Sequence, residues 1–160
     1  MIIKTKKYKL ENNLYIKLCF KNIIHEQWWI FIFSIFMCSI TVFIHIYWFI
    51  FCTIFGVVSY FLFWFVQFYG ITRLDQNQLI FEKLSYQISD QQIFIQYNNK
   101  QGIPILWNKI RYAFKGSDYF LLSISQTHIV YLPYKIFNSK YEIKLTETIL
   151  SRKHLLVNYL

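Results

Sequence analysis

The longest apolar segment of the chain runs from Trp28 to Tyr69 and contains no charged side chain. As one straight helix it would be about 63 Å long, roughly twice the hydrocarbon thickness of a bilayer. A segment of this length must therefore fold back on itself. The pattern predicts a two-helix transmembrane hairpin, with helices over about 28–46 and 49–69 and a turn near residues 46–49.

Positive charges flank the outer ends of this hairpin and are absent from its turn. The flanking residues are Lys17, Lys21, Arg73 and Lys83. The positive-inside rule then places both termini in the cytoplasm. We expect a multi-pass protein of the cell inner (cytoplasmic) membrane, and we interpret His45, next to the turn, as an interfacial histidine rather than an intramembrane functional group.

Small side chains recur at helical spacing on both predicted spans. They are Ser34, Cys38 and Thr41 on the first span, and Cys52, Gly56 and Ser59 on the second. Small faces let membrane helices approach closely, and a turn near residue 47 sets Cys38 opposite Gly56. We predict that these residues form the packing seam inside the hairpin. The alternative is that Cys52 and Gly56 mediate a homodimer.

After residue 70 the apolar spacing changes to the alternation of short strands. Segments rich in Ile, Tyr and Phe are separated by turn-forming clusters such as Asn98–Gly102 and Lys115–Asp118. This pattern is typical of an antiparallel meander. The predicted strands cover residues 79–84, 86–89, 92–97, 103–107, a run ending at 114, 119–125 and 128–133.

The end of the chain returns to helical spacing. Ser139 and Glu142 fit a capping box, in which each side chain satisfies an amide at the start of a helix. An apolar stripe follows, formed by Tyr141, Leu145, Ile149 and Leu156. A β-meander covered by a terminal amphipathic helix is the plan of pleckstrin-like modules. We therefore predict an α+β fold in which residues 70–160 form such a cytosolic domain.

The first 27 residues carry a strand pattern and then a helical one. The segment Ile2–Leu10 alternates as a lysine-rich strand, which suits an exposed sheet edge. A helix opens at residue 11 or 12 and packs through Leu14, Leu18 and Ile24. We expect residues 1–27 to join the cytosolic domain, so that the hairpin over 28–69 is inserted between its first and second elements.

Three motifs of the C-terminal region carry a family resemblance. They are Ile105-x-Trp107-xx-Ile110, Asp118-Tyr-Phe-Leu-Leu, and Ile129-Val-Tyr-Leu-Pro133-xxx-Phe137. Together with the order of the elements, these motifs resemble the YcxB-like family of small bacterial membrane proteins. The resemblance covers essentially the whole chain and is most specific over residues 78–158. It implies two membrane spans and a cytosolic domain of undefined activity, and it brings no catalytic residues.

Composition agrees with a membrane protein. Of the 160 residues, 56% are hydrophobic and 16% are charged, against about 25% charged residues in ordinary soluble domains. The 22% aromatic content accompanies many Ile, Lys and Asn residues, as an A/T-rich genome produces, so we do not take it as a binding surface. We interpret Cys19, Cys38 and Cys52 as reduced structural thiols, because no cysteine or histidine cluster has zinc-site spacing.

The sequence contains no motif that indicates a reaction. A Gly-rich phosphate loop, an HExxH pair and a GxSxG elbow are all absent, and the acidic residues are dispersed singly. We therefore expect no enzyme, no catalytic or metal-binding residues and no cofactor. We also expect no nucleic-acid partner, because no aromatic stacking platform interleaved with basic residues can be singled out.

A formal net charge of +9 is the remaining functional signal. The candidates for contact with anionic lipid are Lys4, Lys6, Lys7, Lys9, Lys17, Lys21 and Arg73. An equally simple explanation is that these cations only set topology and protect a strand edge. We predict a non-enzymatic inner-membrane protein, with the lipid bilayer and a protein partner or homo-oligomer as partners. Its cytosolic module docks that protein partner or senses anionic headgroups, and the alternative is an oligomeric subunit of a transport or pore complex.

Overall fold

A computed structural model describes residues 2–44, 48–98 and 101–157 of the chain. Its contacts divide the chain into two compact units. The sheet unit comprises Met1–Asn12 and Asp75–Leu160, and the helical unit comprises Asn13–Leu74. The helical unit is thus an insertion within the sheet unit. His45 and the centre of the predicted turn lie outside the described residues.

The first sheet of the sheet unit contains five antiparallel strands. They are β1 (Ile3–Lys4), β2 (Tyr8–Lys9), β3 (Lys83–Ile88), β4 (Gln92–Asn98) and β5 (Gln101–Leu106). The order is β1-β3-β4-β5, and β2 also pairs with β3. The N-terminal segment and the strand that follows the insertion are therefore direct neighbours, although about 70 residues separate them in sequence.

The second sheet follows directly along the chain. It consists of β6 (Tyr112–Lys115), β7 (Tyr119–Ser123), β8 (Ile129–Pro133) and β9 (Leu156–Val157), in the order β8-β7-β6-β9. Pairing is antiparallel except for β9, which runs parallel to β6. Helix α4 (Lys140–Arg152) lies between β8 and β9 in sequence. The parallel pairing is possible because this helix carries the chain back across the domain.

One apolar core joins both sheets and the last helix. Ile88 and Ile93 from the first sheet, Phe120 and Leu122 from the second, and Leu150 from α4 are fully buried in the same cluster. Alternation along the strands explains this arrangement, because every second side chain points to the same face of a sheet. The predicted α+β class with antiparallel sheets is therefore confirmed.

The start of β3 differs from the sequence-based expectation. Residues 79–84 were expected to form a strand, whereas Asp75–Phe81 is a 3₁₀ helix and β3 begins at Lys83. The Gln78 side chain donates a hydrogen bond to the Asp75 carboxylate (2.8 Å), which stabilises the helical turn. Alternating burial begins only with Leu84, so the residues before it lack the pattern that a half-buried strand needs.

Helix α4 starts as predicted and buries only part of the predicted stripe: Ile149 is buried and Leu145 packs partly buried against the core. Ser139 Oγ accepts the Glu142 amide proton at 3.2 Å, whereas the Glu142 carboxylate reaches back one residue further than expected, to the amide of Asn138. Tyr141 is 63% exposed. The buried residues of the helix are Thr146, Ile149 and Leu150. The helix ends at Arg152, which leaves the expected stripe residue 156 in β9 instead.

The helical unit contains α1 (Asn12–Glu26), α2 (Trp29–Ile44) and α3 (Trp48–Arg73). Helix α3 has 26 residues and is long and apolar enough to cross a membrane. Helix α2 has 16 residues and is shorter than the roughly 20 that a span needs. The segments Asn12–Glu26 and Trp29–Ile40 are long and apolar enough for a span only when taken together, and they bend by 62° at their junction.

The buried side of α1 is shifted from the predicted one. It consists of Tyr15, Leu18, Cys19, Asn22 and Ile23. Ile24, which was expected to pack, is 44% exposed. The physical reason is that the helix follows its best continuous stripe at spacings of three and four residues, and residue 24 lies outside that stripe.

Candidate functional site

The lysine-rich N-terminal strand is interrupted by a β-bulge. Thr5 is bonded to Tyr86 of β3 through its amide and its hydroxyl, and Tyr8 lies opposite Leu84. Between these two pairs the N-terminal strand has two residues, Lys6 and Lys7, whereas β3 has one, residue 85. An extra residue of this kind bends a strand and redirects its side chains. Both lysines are consequently exposed, in a segment where strict alternation would bury one of them.

The outer side of this strand is covered by the segment that follows β8. The Lys6 amide donates to the carbonyl oxygen of Ile136 at 2.8 Å, and the Asn138 side-chain amide donates to the carbonyl oxygen of Lys4 at 2.9 Å. β1 lies at the end of the sheet order, so the edge position is as expected, but the edge is not open at Lys4 and Lys6. The cause is tertiary: residues 136–138 are distant in sequence and supply the acceptor and the donor that an edge strand would otherwise leave to water.

Two lysines from other parts of the chain join the N-terminal ones. Lys83 lies directly opposite Lys9 in the β2–β3 register. The Lys135 ammonium lies 4.8 Å from the centroid of the Tyr8 ring, a cation–π arrangement. We define the lysine surface as Lys4, Lys6, Lys7, Lys9, Lys83 and Lys135, all of which are exposed. Sequence reasoning did not include the last two, because only strand register and the return of the chain after β8 bring them to this strand.

Among the described residues, no ion pair joins a carboxylate to a lysine of the lysine surface. Ion pairs are seen at other cations, between Lys115 and Glu147 at 2.6 Å and between Arg152 and Asp90 at 3.5 Å. Partial burial, and secondarily the Glu11 carboxylate, raise the pKa of the Tyr8 phenol. Tyr8 is therefore a neutral hydrogen-bond donor at physiological pH. The surface offers donors and positive charge, which suits an anionic partner.

The other predicted cations belong to the helical unit. Lys17 and Lys21 are exposed on α1. Arg73 donates to the Tyr69 hydroxyl at 2.8 Å, with its guanidinium carbon 5.2 Å from the centre of the same ring. Arg73 is thus held against an aromatic residue at the end of α3.

The small residues predicted for the hairpin seam line grooves between α2 and α3. Ser34 and Thr53 line two such grooves. Cys38 lines one of them, and Cys52 and Gly56 line the other. The α2 side of the predicted seam, Ser34 with Cys38, is half-buried at this contact.

On α3 the packed side is not the predicted small one. Phe61 lies 6.2 Å from Phe31, ring centre to ring centre, within the range of favourable aromatic pairs. A β-carbon built on Gly56 would meet no atom within 4 Å, and Ser59 is exposed. Gly56 therefore makes no close approach to another helix among the described residues. The side chain of Thr41 lies outside the described residues.

The titratable groups of the described ranges include no cluster with the geometry of a metal site. No group of three or more His, Cys, Asp or Glu side chains there is placed to hold a metal ion. His128 Nδ1 lies 3.1 Å from Ser125 Oγ and 3.0 Å from Thr127 Oγ1. These contacts belong to the exposed turn between β7 and β8, where Ser125 also accepts the His128 amide proton at 3.0 Å, and they serve turn formation.

Comparison of the chain with protein-family profiles, with curated proteins and with solved structures finds no match.

Proposed function

We propose that the chain is a non-enzymatic protein of the bacterial inner membrane whose lysine surface contacts anionic lipid headgroups. The observation that supports this proposal most directly is that residues 136 and 138 cover part of the N-terminal strand. Its lysines remain exposed although the hydrogen bonds from residues 136 and 138 already close the strand at Lys4 and Lys6. Protection of an open edge therefore does not account for the positive charges of Lys4 and Lys6, whereas attraction to an anionic surface accounts for them and for the neighbouring lysines.

In this proposal the helical unit is the membrane anchor. Helix α3 supplies one span, and the apolar α2 supplies a shorter second span. Both termini are cytoplasmic, because the cations Lys17, Lys21 and Arg73 flank the apolar segment and its turn carries none. The two-sheet arrangement with α4 supports a pleckstrin-like cytosolic domain, and the element order supports membership of the YcxB-like family.

Chain connectivity supports contact between the lysine surface and the bilayer. Lys9 is three residues from the start of α1, and Lys83 follows the end of α3 by ten residues. These two lysines are paired in the sheet, so both connections to the anchor leave from the same end of the β2–β3 ladder. Each lysine near an anionic leaflet contributes about 1 kcal/mol of attraction.

A transport or pore role would need polar side chains that are free to line a channel, and the Ser34 and Thr53 hydroxyls of α2 and α3 are not free. The Ser34 hydroxyl donates to the carbonyl oxygen of Ile30 at 2.8 Å, and the Thr53 hydroxyl donates to that of Phe49 at 2.8 Å. These hydroxyls are used within their own helices, as in any apolar span. They therefore add no support to a transport or pore role.

Residue-resolved acylation of lysines in nanodiscs tests the lipid proposal. The full chain is placed in discs of phosphatidylcholine alone, or of phosphatidylcholine mixed with phosphatidylglycerol, and the acylation rate of each lysine is measured by mass spectrometry. We expect the lysine surface to react several-fold more slowly in the anionic discs. High salt should abolish the difference, because it screens exposed charges over distances beyond about 3 Å at 1 M.

Lys140 and Lys144 on α4 are the matched controls, since both are exposed lysines of the same unit that lie outside the lysine surface. Their rates should change little between the two kinds of disc. Equal protection of all lysines, or of none, would contradict a specific lipid-facing role for the lysine surface.

A further inference from the structure

The lysine surface contains one pair of directly opposed positive charges. Lys9 of β2 and Lys83 of β3 are partners in the antiparallel register, and both are exposed. Residues opposite one another in such a pair have β-carbons about 4.5–5.5 Å apart. Two ammonium groups on flexible stems can therefore reach the same small ligand from adjacent strands.

Like charges in this arrangement destabilise the pair unless something compensates for them. The acidic residues nearest in sequence are Glu11, two residues after Lys9, and Glu82, directly before Lys83. Among the described residues, no carboxylate forms an ion pair with either lysine. The sequence of β4, on the other side of β3, contains no charged residue. Lys4, on β1, adds a third positive charge on the same face of the sheet, opposite Gln87.

We infer that Lys9 and Lys83 together bind the phosphomonoester headgroup of an anionic lipid, in preference to a phosphodiester. This inference rests on the function proposed above. A phosphomonoester carries a charge approaching −2 and three terminal oxygens, so that it can accept hydrogen bonds from two ammonium groups at once. A phosphodiester carries a single charge and two such oxygens. The paired lysines match the first geometry and have one positive charge too many for the second.

The pH dependence of binding distinguishes the two headgroups. The second proton of a phosphomonoester leaves near about pH 6, so its charge rises between about pH 6 and about pH 8. A phosphodiester does not change charge over this interval. The ionisable residues nearest to the pair in sequence are Lys7, Tyr8, Glu11 and Glu82, and they are the same in both lipid environments.

The test compares three sets of nanodiscs that hold the full chain: phosphatidylcholine alone, with phosphatidylglycerol, and with phosphatidic acid, the two anionic sets being matched in total charge at each pH. The measured quantity is the acylation rate of Lys9 and Lys83 relative to that of Lys140 and Lys144, which removes the pH dependence of the reagent. We expect phosphatidic acid to protect the pair several-fold more than phosphatidylglycerol does, with a difference that grows with pH.

The variant Lys9→Gln tests whether Lys9 and Lys83 form the phosphomonoester site together. Lys9→Gln should remove the extra protection of Lys83 by phosphatidic acid and leave the protection of Lys6 and Lys7 unchanged. Lys140→Gln, the control variant, should change neither.

Other outcomes separate this inference from the proposed function. Equal protection by the two anionic lipids would overturn the phosphomonoester inference and leave the lipid-contact proposal standing. Protection by neither lipid would overturn both. Protection on neutral discs by glycerol 3-phosphate or inorganic phosphate, as strong as that by phosphatidic acid, would overturn the lipid as the source of the phosphate.

Discussion

The ring of Phe94 on β4 lies against Gly102 on the neighbouring strand β5. A β-carbon built on Gly102 would stand 2.5 Å from Phe94 Cζ and 2.5 Å from the carbonyl oxygen of Ile95. Atoms in contact normally lie about 3.5–4.0 Å apart, so this position has no room for a side chain. Phe94 thus covers the bare backbone of the glycine on the outer face of the sheet, where a cross-strand diagonal places the two residues within reach.

Replacement of this glycine should destabilise the sheet unit. We expect Gly102→Ala to cost about 1–3 kcal/mol, because either the Phe94 ring or the β4–β5 backbone must move. Thermal unfolding of the full chain, followed by near-ultraviolet circular dichroism, measures the effect. The control is Gly70→Ala in α3, where an added β-carbon would meet nothing within 4 Å and alanine favours the helix. An unchanged melting temperature for Gly102→Ala would contradict the contact.

His154 occupies a backbone conformation that suits glycine. Its φ of 56° follows the end of α4, where the His154 amide donates to Ser151 and the Leu155 amide donates to Leu150. We expect His154→Gly to stabilise the protein by about 1 kcal/mol, because the left-handed conformation is strained for residues with a β-carbon. The matched variant Lys153→Gly, at a φ of −84°, should destabilise instead. A loss of stability for His154→Gly would show that its side chain contributes more than the backbone strain costs.

Trp107 ties the end of β5 to the turn between β3 and β4. Its side chain is 5% exposed, and its Nε1 donates to the carbonyl oxygen of Ser89 at 3.0 Å. Trp107→Phe should destabilise by about 1–3 kcal/mol, since it removes the donor and leaves unfilled space in the core. Chemical denaturation of the full chain checks this value. Trp48→Phe, at a tryptophan that is 69% exposed, should leave the transition unchanged; equal effects of the two substitutions would contradict the assignment.

Tyr86 should make the sheet unit sensitive to alkali. Burial, followed by the nearby Tyr8, raises the pKa of the Tyr86 phenol well above its usual range. The neutral phenol is therefore favoured by folding. Its contribution to stability is fully present below about pH 10, where the unfolded tyrosine also keeps its proton, and is lost as the pH rises above that value.

The measurement is the melting temperature between about pH 8 and about pH 11, a range that brackets the tyrosine pKa. We expect a fall above pH ~10 that is less steep in Tyr86→Phe. Tyr141→Phe, at a tyrosine that is 63% exposed, serves as the control and should keep the steepness of the original protein. Identical curves for all three proteins would rule out Tyr86 as the origin of the alkaline sensitivity.

Most strands and the last helix could be predicted because their signals are local. Ile93 and the residues around it alternate, and the structure has β4 there; Ser139 caps α4 as its spacing with Glu142 predicts. The errors occur where two local tendencies compete. At residues 79–82 the apolar composition indicated a strand, whereas the side-chain bond between Gln78 and Asp75 belongs to a 3₁₀ turn.

The candidate site could be predicted only in part. The N-terminal lysines are visible as an alternating basic segment, and four of them belong to the lysine surface. Lys83 and Lys135 were missed because their membership depends on pairing between distant segments. The small residues of α3 are exposed beside the contact with α2 for a related reason: helical spacing predicts which residues share a face, but not which face packs against a neighbour.

By itself, the sequence determined the features that depend on composition and on the local spacing of apolar residues. These are an uncharged apolar segment, an α+β pattern after it, and a basic segment before it. The tertiary structure alone decided that Lys9 stands opposite Lys83, that the bulge exposes both Lys6 and Lys7, and that residues 136–138 close the strand. The physical reason is that register and edge coverage arise from hydrogen bonds between segments far apart in the chain, and no local pattern encodes which distant partner a strand will find.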